Sequence, residues 1–445
     1  MGAADLSRRR CGAHRVRRRP VRGRRVRARG ARRAGDRAVR RVRAAVLGAG
    51  IMGSSVAIHL ARRGVEVTII DREPAPMAAA SRWNEGKIHL GYIYGADPTL
   101  ATAQHLLTGG LQFAERLREL VEEDLDGHAT TEDDIYLVHR DSVVGPDLLR
   151  ARFEAVSGLV REHPDAARYL VDVSDARATA IPPSELAELT GPEIVAGYRV
   201  PERSVETRWV ADRLTAVLAS QAGVTQRLGT TVVGVERRGD AVDAWRVNTA
   251  DGAHEDVDVV VNALWSGRLP IDVTAGLTPQ RPWTHRYRLC LFVRTRTVQE
   301  MPSALVAVGP FGDVKNYNGR DFYLSWYPVG LVAQSDGLEL ATPPTPTGAG
   351  AEAFAARVRA ALEPIMPGVG AVLDDAESVV VHGGFVFARG AGALDDPRSG
   401  LHRRDRYGVE RLGTYFSVDT GKYSTAPWLA RELAEEIAGP AGRAR

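Results

Sequence analysis

Three glycines near residue 50 have the spacing of a phosphate-binding turn. Gly48, Gly50 and Gly53 follow a short apolar run and precede a helical pattern. In this arrangement the first glycine allows a tight turn, the second lets the backbone approach a pyrophosphate, and the third lets helix and strand pack closely. The helix N-terminus adds a partial positive charge. Asp71 ends the next predicted strand, where an acid that binds a ribose is expected, so the pattern predicts a dinucleotide site.

Polar residues in two other segments favour a flavin over a nicotinamide. The glycine turn alone leaves NAD and FAD open, but residues 81–91 follow the second strand at a distance suited to crossing back over a bound flavin. Residues 419–427 open a helix that Ser424 or Thr425 can cap, with Pro427 in its first turn. Such a helix start stabilises negative charge on reduced flavin. An ordinary loop and a plain, well-capped helix are the alternative interpretations.

The elements that hold these segments follow from hydrophobic periodicity. A strand over 44–47, a helix to about residue 63 and a strand over 65–70 form a β-α-β unit. Asp97 and Pro98 begin a long helix that runs to Leu120. Further helices are expected over 148–162, 184–189, 209–222 and 351–363; strands over 230–236, 244–249 and 257–264; and antiparallel strands over 286–293, 304–308 and 322–327, the last after an Asn318-Gly319 turn.

From about residue 44 to residue 439 the sequence resembles the family of FAD-dependent oxidoreductases that includes D-amino-acid oxidase, glycine and sarcosine oxidases, glycerol-3-phosphate dehydrogenase and L-2-hydroxyglutarate dehydrogenase. Residues 87–91 are similar to the Lys-Leu-Ile-His-Gly-Gly stretch of the glycerol-phosphate enzymes, and residues 88–92 to a hydroxyglutarate-enzyme segment. Residues 421–425 resemble the Gly-Lys-x-Thr-Thr element of the glycerol-phosphate branch. The resemblance implies an α/β fold, with a Rossmann-like FAD-binding domain of the GR2 type and a second domain built on an antiparallel sheet.

The glycine turn and the resemblance together define an expected FAD site. In the family, segments like these contact the isoalloxazine ring, the pyrophosphate and the adenine. The expected cofactor-binding residues are Gly48, Gly50, Ile51, Met52, Gly53, Asp71, Arg72, Ser81, Asn84, Gly86, Lys87, Val232, Gly421, Lys422 and Ser424. This chain departs from the family at Leu264, where a glycine often approaches the cofactor, and it lacks the Asp-Gly-x-Pro segment of the amine-oxidising branch. The missing segment weakens an assignment as an amino-acid oxidase, and the resemblance of residues 87–91 ranks alcohol oxidation ahead of amine oxidation.

Three residues are candidates for catalysis. His89 has an ordinary pKa that suits proton acceptance at neutral pH, and the resemblance places it beside the flavin; orienting the flavin by a hydrogen bond is the alternative role. On the predicted strand 286–293, Arg286 and Arg288 share one face while His285 and Tyr287 share the other. An arginine there suits a carboxylate or phosphate, so Arg288 and Tyr287 join His89 as candidates, although solvent-facing arginines compete with this interpretation.

Composition limits the other functions. Cys11 and Cys290 are the only cysteines, which excludes a disulfide framework and a cysteine metal cluster, and we expect no metal and a cytoplasmic setting.

The positive charge of the chain is concentrated at its beginning. Residues 1–43 contain eighteen arginines and only two acidic residues, so the remaining chain is acidic despite a net charge of +4. This arginine-rich tail is expected to be disordered, and upstream sequence translated past the true start is our preferred explanation for it.

We expect residues 44–130, 200–270 and 375–440 to form the FAD-binding domain, and residues 131–199 and 271–374 to form the substrate domain. The partner is a small metabolite, either a hydroxy acid, a polyol phosphate or an amine, with oxygen or a quinone as electron acceptor. No nucleic acid and no transmembrane segment are expected, because glycines and serines interrupt the apolar run 44–61. The competing hypotheses are an NAD-dependent dehydrogenase and a nucleic-acid-associated protein that acts through its tail.

Overall fold

A computed structural model describes residues 41–239 and 244–439. The strands in this part are β1 (Arg43–Leu47), β2 (Glu66–Ile70), β3 (Lys87–Ile88), β4 (Asp134–His139), β5 (Thr179–Ala180), β6 (Ile194–Val200), β7 (Arg203–Ser204), β8 (Val224–Arg227), β9 (Val232–Arg237), β10 (Trp245–Thr249), β11 (His254–Val257), β12 (Val259–Asn262), β13 (Thr284–Thr295), β14 (Ala304–Val306), β15 (Gly312–Asn316), β16 (Asp321–Trp326), β17 (Leu331–Ser335), β18 (Ala376–Ala388), β19 (Gly408–Leu412) and β20 (Tyr415–Asp419). The α-helices are α1 (Ile51–Ala61), α2 (Ala101–Leu111), α3 (Phe113–Val121), α4 (Pro146–Glu162), α5 (Pro183–Leu189), α6 (Thr207–Ser220), α7 (Arg268–Ala275), α8 (Tyr327–Gly330), α9 (Ala349–Leu362), α10 (Gly368–Asp374) and α11 (Ala426–Ala438).

A six-stranded sheet of order β19-β20-β12-β1-β2-β8 forms the first layer. Its strands from β20 to β8 are parallel, and β19 closes one edge in the antiparallel sense. Ala44 and Val46 of β1 pack in one hydrophobic core with α1, α6 and α11, while Ala45 and Leu47 pack in a second core with β9–β11 and α7. Burial on both faces explains why the central strands are almost wholly apolar. This layered parallel sheet is the α/β class expected from the sequence.

A second, nine-stranded sheet carries the antiparallel strands. Its path is β17-β13-β16-β15-β14-β4-β6-β5, and β18 pairs with β13. The sequence-based division placed residues 375–440 in the FAD-binding domain, but β18 pairs with β13 from Thr284 to Thr295 and so belongs to this second sheet. Helices α9 and α10 pack on it through Phe354, Val358 and Val369. Apart from the place of β18, the division of the chain into an FAD-binding domain and a substrate domain stays a prediction.

Several element boundaries differ from the sequence-based expectations. The long helix expected from Asp97 to Leu120 is two helices, α2 and α3, with a break at Gln112. The unbroken strand over 257–264 is shorter: β11 ends at Val257 and β12 spans Val259–Asn262. The Asn318-Gly319 turn is confirmed between β15 and β16. Of the tail, residues 1–40 lie outside the described part, whereas Arg43 already begins β1.

Among the described residues, no helix is long and apolar enough to cross a membrane. The apolar run 44–61 consists of β1, the glycine turn and α1.

Candidate active site

A cavity of about 540 Å³ lies at the carboxyl ends of the parallel strands. Gly48 follows β1, Asp71 follows β2, Ala263 follows β12 and Thr420 follows β20, and all four line it. Ligands of open α/β sheets bind at this edge, because the loops that leave neighbouring parallel strands meet there. The cavity also reaches Arg288 on β13, so side chains of both large sheets form its walls.

The glycine turn is tightly built and faces this cavity. Gly48 has φ of +97°, and a Cβ on Gly53 would lie 1.8 Å from the Gly48 carbonyl oxygen. The backbone amide of Ile51 donates to Ser81 Oγ at 2.9 Å, and that of Ala49 donates to Asp71 Oδ2 at 2.6 Å. Ser81 and Asp71 therefore fix the turn from the neighbouring segments, in addition to lining the cavity.

Most of the expected cofactor-binding residues line the cavity. They are Gly48, Gly50, Ile51, Met52, Asp71, Arg72, Ser81, Asn84, Lys87, Val232, Gly421 and Lys422. Gly53, Gly86 and Ser424 do not. Gly53 packs on the turn itself, and a Cβ on Gly86 would lie 2.0 Å from the Val205 carbonyl oxygen. Ser424 is buried beneath the surface of the site, and its hydroxyl has no hydrogen-bond partner among the described residues.

The segment 81–91 is shaped by its own hydrogen bonds. Asn84 donates from Nδ2 to the carbonyl oxygens of Ala80 and Ser81, at 2.9 and 3.3 Å, and accepts from the Gly86 amide at 2.8 Å. These bonds close a compact loop over the cavity. Tyr317 of the nine-stranded sheet donates from its hydroxyl to the Glu85 carbonyl oxygen at 3.1 Å, which ties this loop to the second sheet.

Lys87 belongs to a buried charge network that sequence analysis did not find. Its Nζ contacts the carboxylates of Asp134 and Glu202, the latter at 3.1 Å, and Lys315 Nζ lies 2.6 Å from Asp134. All four side chains are fully buried. These carboxylates raise the pKa of Lys87 although burial alone lowers it. The ammonium group of Lys87 is thus paired within the protein, while Lys87 still lines the cavity, and its expected contact with the flavin stays a prediction.

Glu202 also holds the backbone that follows His89. Its Oε1 accepts from the Leu90 amide at 2.6 Å and from the Gly91 amide at 3.1 Å, while its Oε2 accepts from the Tyr136 hydroxyl at 2.6 Å. On the other side of His89, Tyr169 donates from its hydroxyl to the Ile88 carbonyl oxygen at 2.6 Å. The backbone is therefore fixed on both sides of His89.

His89 lines the cavity with an unbonded ring. It is 3% exposed, and neither ring nitrogen has a hydrogen-bond partner among the described residues. Burial lowers the pKa of His89 well below its ordinary value, and the positive charges of Lys422 and Lys87 lower it further. The ring is thus neutral at neutral pH, which makes it a hydrogen-bonding group and a weak base. The two expected roles of His89, general base and orienting group, both stay predictions.

On β13 the arginine, and not the tyrosine, faces the cavity. Arg288 and Cys290 line it, whereas Tyr287 packs into the core of the second sheet, with its ring 4.9 Å from that of Phe385. Period-two alternation predicted that only one of the two faces the site. Tyr287 is not among the residues that line the cavity, because it lies on the opposite face of β13 from Arg288 and packs in the core.

Arg288 is a buried cation in this wall. Its Nη2 donates to Ser325 Oγ at 2.9 Å, and Ser325 donates to Asp313 Oδ1 at 2.6 Å. The guanidinium lies 4.5 Å from the ring centre of Tyr327. Its Nε has no partner, and no carboxylate of the described chain lies within ion-pair distance of it. Arg288 can therefore bind an anion that enters the cavity.

Other residues at the cavity were missed by the sequence analysis. They include Trp83, Glu85, Tyr323, Gly384, Phe385 and Arg404. Leu264, the departure from the family pattern, lines the cavity as well, and the glycine turn accommodates its backbone: a Cβ on Gly48 would lie 3.2 Å from Leu264 Cα. No short motif marks these positions, because they reach the site from separate strands and loops.

These residues fit a bound FAD. The glycine turn leaves its backbone open toward the cavity at the start of α1, as a pyrophosphate requires. Thr231 and Val232 line the cavity together with Asp71, where a nucleoside fits, and the His89 ring in the cavity wall has no hydrogen-bond partner among the described residues. Among the described residues there is no group of histidine, cysteine or carboxylate side chains arranged to hold a metal.

Comparisons with known proteins agree with this geometry. A family model described as FAD dependent oxidoreductase matches residues 43–436. A bifunctional protein of tRNA 5-methylaminomethyl-2-thiouridine biosynthesis from Chromohalobacter salexigens is 31% identical over 218 residues, which are 49% of this chain and 27% of the relative. The chain thus matches about a quarter of the length of that relative.

Solved structures show the same fold. Glycine oxidase from Geobacillus kaustophilus aligns with a TM-score of 0.61 at 16% identity, covering 88% of this chain and 94% of its own. L-α-glycerophosphate oxidase from Mycoplasma pneumoniae, with FAD bound, aligns with a TM-score of 0.59 at 14% identity, covering 88% and 93%.

Proposed function

The chain belongs to the family of FAD-dependent oxidoreductases, and from this premise we propose that it oxidises a small substrate that carries a carboxylate, and that Arg288 binds this carboxylate. FAD, when bound, accepts the hydride that the substrate loses. The residues of the chain bind and orient the substrate and keep water away from it.

The unpaired guanidinium of Arg288 carries this proposal. A buried charge without a counter-ion is costly, and a bidentate carboxylate satisfies it with a well-defined geometry. The Ser325 hydroxyl holds Nη2 at 2.9 Å, which limits the orientations of the guanidinium before any substrate arrives. The names of two similar structures give glycine and glycerophosphate as substrates, and these small molecules carry a carboxylate and a phosphate, respectively.

His89 supports the proposal as an orienting group. Its neutral ring presents one donor and one acceptor to the cavity. Glu202 and Tyr169 fix the backbone around His89, and this limits the positions from which a ligand can bond to the ring. We infer that the His89 ring forms a hydrogen bond with the flavin or with the substrate. This bond helps to fix the distance between the reacting carbon and the flavin.

The proposal is tested on purified protein. It is expected to be yellow, with absorption near roughly 370 and 450 nm, and to release FAD on denaturation. Anaerobic mixing with a panel of amino acids, hydroxy acids and polyol phosphates should bleach it. Arg288→Met should then weaken binding of the active substrate by about a hundredfold at unchanged FAD content, because a charged pair is lost.

Arg296→Ala, a change at an exposed arginine beyond the end of the same strand, is the matched control and should leave binding unchanged. Equal affinity in the Arg288→Met and unchanged proteins would remove Arg288 from substrate binding.

A further inference from the structure

We propose that Glu85 is a specificity residue that binds a positively charged amino group of the substrate. The site then selects small molecules that carry both a carboxylate and an ammonium group. This inference rests on the proposed function, since it takes Arg288 as the partner of the carboxylate.

Glu85 and Arg288 line the same cavity with opposite charges. Glu85 lies in the segment 81–91, whose fold is fixed by the hydrogen bonds of Asn84. The Tyr317 hydroxyl donates to the Glu85 carbonyl oxygen and holds the backbone there. Arg288 stands on β13 and is held by Ser325. The two charged groups therefore come from independent, well-fixed elements, so their separation is set by the fold.

Neither Glu85 nor Arg288 forms an ion pair within 4.0 Å among the described residues, although the two charges act on each other across the cavity. In residues 41–239 and 244–439, no lysine, arginine or histidine lies within 4.0 Å of the Glu85 carboxylate, just as no carboxylate pairs with Arg288. Burial raises the pKa of Glu85, but Lys422, its own backbone amide and Arg288 lower it, and the net shift is downward. Glu85 is thus an ionised carboxylate that faces the cavity without an ion pair.

The pair of opposite, unpaired charges matches a zwitterion. A substrate carboxylate on Arg288 and a substrate ammonium on Glu85 satisfy both groups at once. A hydroxy acid or a polyol phosphate brings only negative charge, and Glu85 repels it. The sequence-based ranking of alcohol oxidation ahead of amine oxidation is therefore reversed by this proposal.

The test uses two probes that lack a hydrogen on the reacting carbon, so that neither can reduce the flavin. 2-Aminoisobutyrate and 2-hydroxyisobutyrate differ only in an ammonium and a hydroxyl group. Binding to the FAD-loaded protein is followed by the change in flavin absorbance. We expect the amino probe to bind about tenfold or more tightly than the hydroxy probe in the unchanged protein.

Glu85→Gln should weaken the amino probe by about tenfold and leave the hydroxy probe within about twofold. Arg288→Met should weaken both probes, which reports on the proposed function separately. Equal affinities of the two probes in the unchanged protein would overturn the role of Glu85, and this result does not depend on the folding of any variant. Loss of FAD or a shifted spectrum of unliganded Glu85→Gln would place Glu85 at the cofactor and also overturn it.

Discussion

Gly50 is the residue at which a side chain conflicts most directly with a bound pyrophosphate. It lines the cavity at the start of α1, and a Cβ there would lie 2.9 Å from Ser81 Oγ, which accepts from the Ile51 amide. Gly50→Val should therefore lose FAD, measured as the ratio of absorbance at about 450 nm to that at 280 nm. Gly145→Ala, where a Cβ meets no atom within 4 Å, should retain the ratio; a yellow Gly50→Val protein would contradict the site.

His89 should matter for the rate of flavin reduction and little for FAD content. Removing the ring in His89→Ala is expected to slow anaerobic reduction by about ten- to a hundredfold, because the hydrogen bond proposed between the ring and the bound flavin or substrate is lost. Because the pKa of His89 lies well below 6.5, the ring stays neutral through that region, and the rate should show no inflection from His89 near pH 6.5. An inflection there that disappears in His89→Gln would restore the general-base hypothesis.

At the residue scale, local spacing predicted the glycine turn and Asp71, because each follows a strand whose end can be found in the sequence, whereas Lys422 was expected from the family resemblance. Alternation predicted that Arg288 and Tyr287 face opposite ways. It did not say which one faces the cavity, because that depends on β18, which lies far along the chain. The pairing of Lys87 with Asp134, Glu202 and Lys315 was not predictable, since no periodicity links residues from separate segments.

At the scale of elements, helix α2 packs very closely against the backbone at His89 and at Thr425. A Cβ on Gly110 would lie 2.3 Å from the His89 carbonyl oxygen, and one on Gly109 would lie 2.9 Å from Thr425 Cα. The apolar pattern of residues 100–120 predicted one long helix, because hydrophobic spacing continues through Gln112. The structure ends α2 at Leu111, where these close contacts fix its position.

Gly110→Ala should accordingly destabilise the fold by about 1–3 kcal/mol, because the added methyl group must displace backbone that has little room to move. Gly158→Ala in α4 is the matched helical control: its Cβ meets nothing closer than 3.8 Å, so it should stabilise by about 0.5–1 kcal/mol. Unfolding by urea, with FAD fluorescence as a second signal, measures both. Equal stability of the two variants would show that α2 moves freely.

Strands β1, β2 and β12 of the parallel sheet were predictable because continuous apolar strands and a glycine turn are local signals. Strands β8, β19 and β20 and the order of the sheet were not predicted, since they depend on pairing between distant segments. No strand was expected over residues 376–388 either, and the long pairing of β18 with β13 assigns it to the second sheet.

For the whole molecule, a buried histidine should make the fold sensitive to acid. Burial, together with Arg63, Arg62, Arg431 and Arg116, lowers the pKa of His59 to about 3. The unfolded chain takes up this proton near pH 6.5 and the folded chain does not, so stability is full above pH 6.5 and falls below it, by about 1.4 kcal/mol per pH unit until about pH 3. The pKa of His89 is also lowered, by burial and by nearby lysines, so His89 makes stability fall with acid in the same way.

His59→Gln should flatten this dependence, measured as the free energy of unfolding at pH 7 and pH 5, whereas His254→Gln at an exposed position should not. If His59→Gln retains the full loss of stability at pH 5, the acid sensitivity arises elsewhere.

The arginine-rich tail should be dispensable for the enzyme. Its composition predicts no packing, so removal of residues 1–40 should leave FAD content and the rate of flavin reduction unchanged. Removal through Leu47 deletes β1 at the centre of the parallel sheet and should abolish both. Loss of FAD after the shorter deletion would assign the tail to the enzyme.

The strand order places the ends of the described chain side by side. Strand β1 pairs with β12, β12 pairs with β20, and α11 packs in the same core as α1. During synthesis on the ribosome, the glycine turn emerges early, but Gly421 and Lys422, which close the opposite wall, are translated hundreds of residues later. We therefore expect FAD to bind only after residue 422 has been translated, and a nascent chain stalled before residue 420 should not retain it.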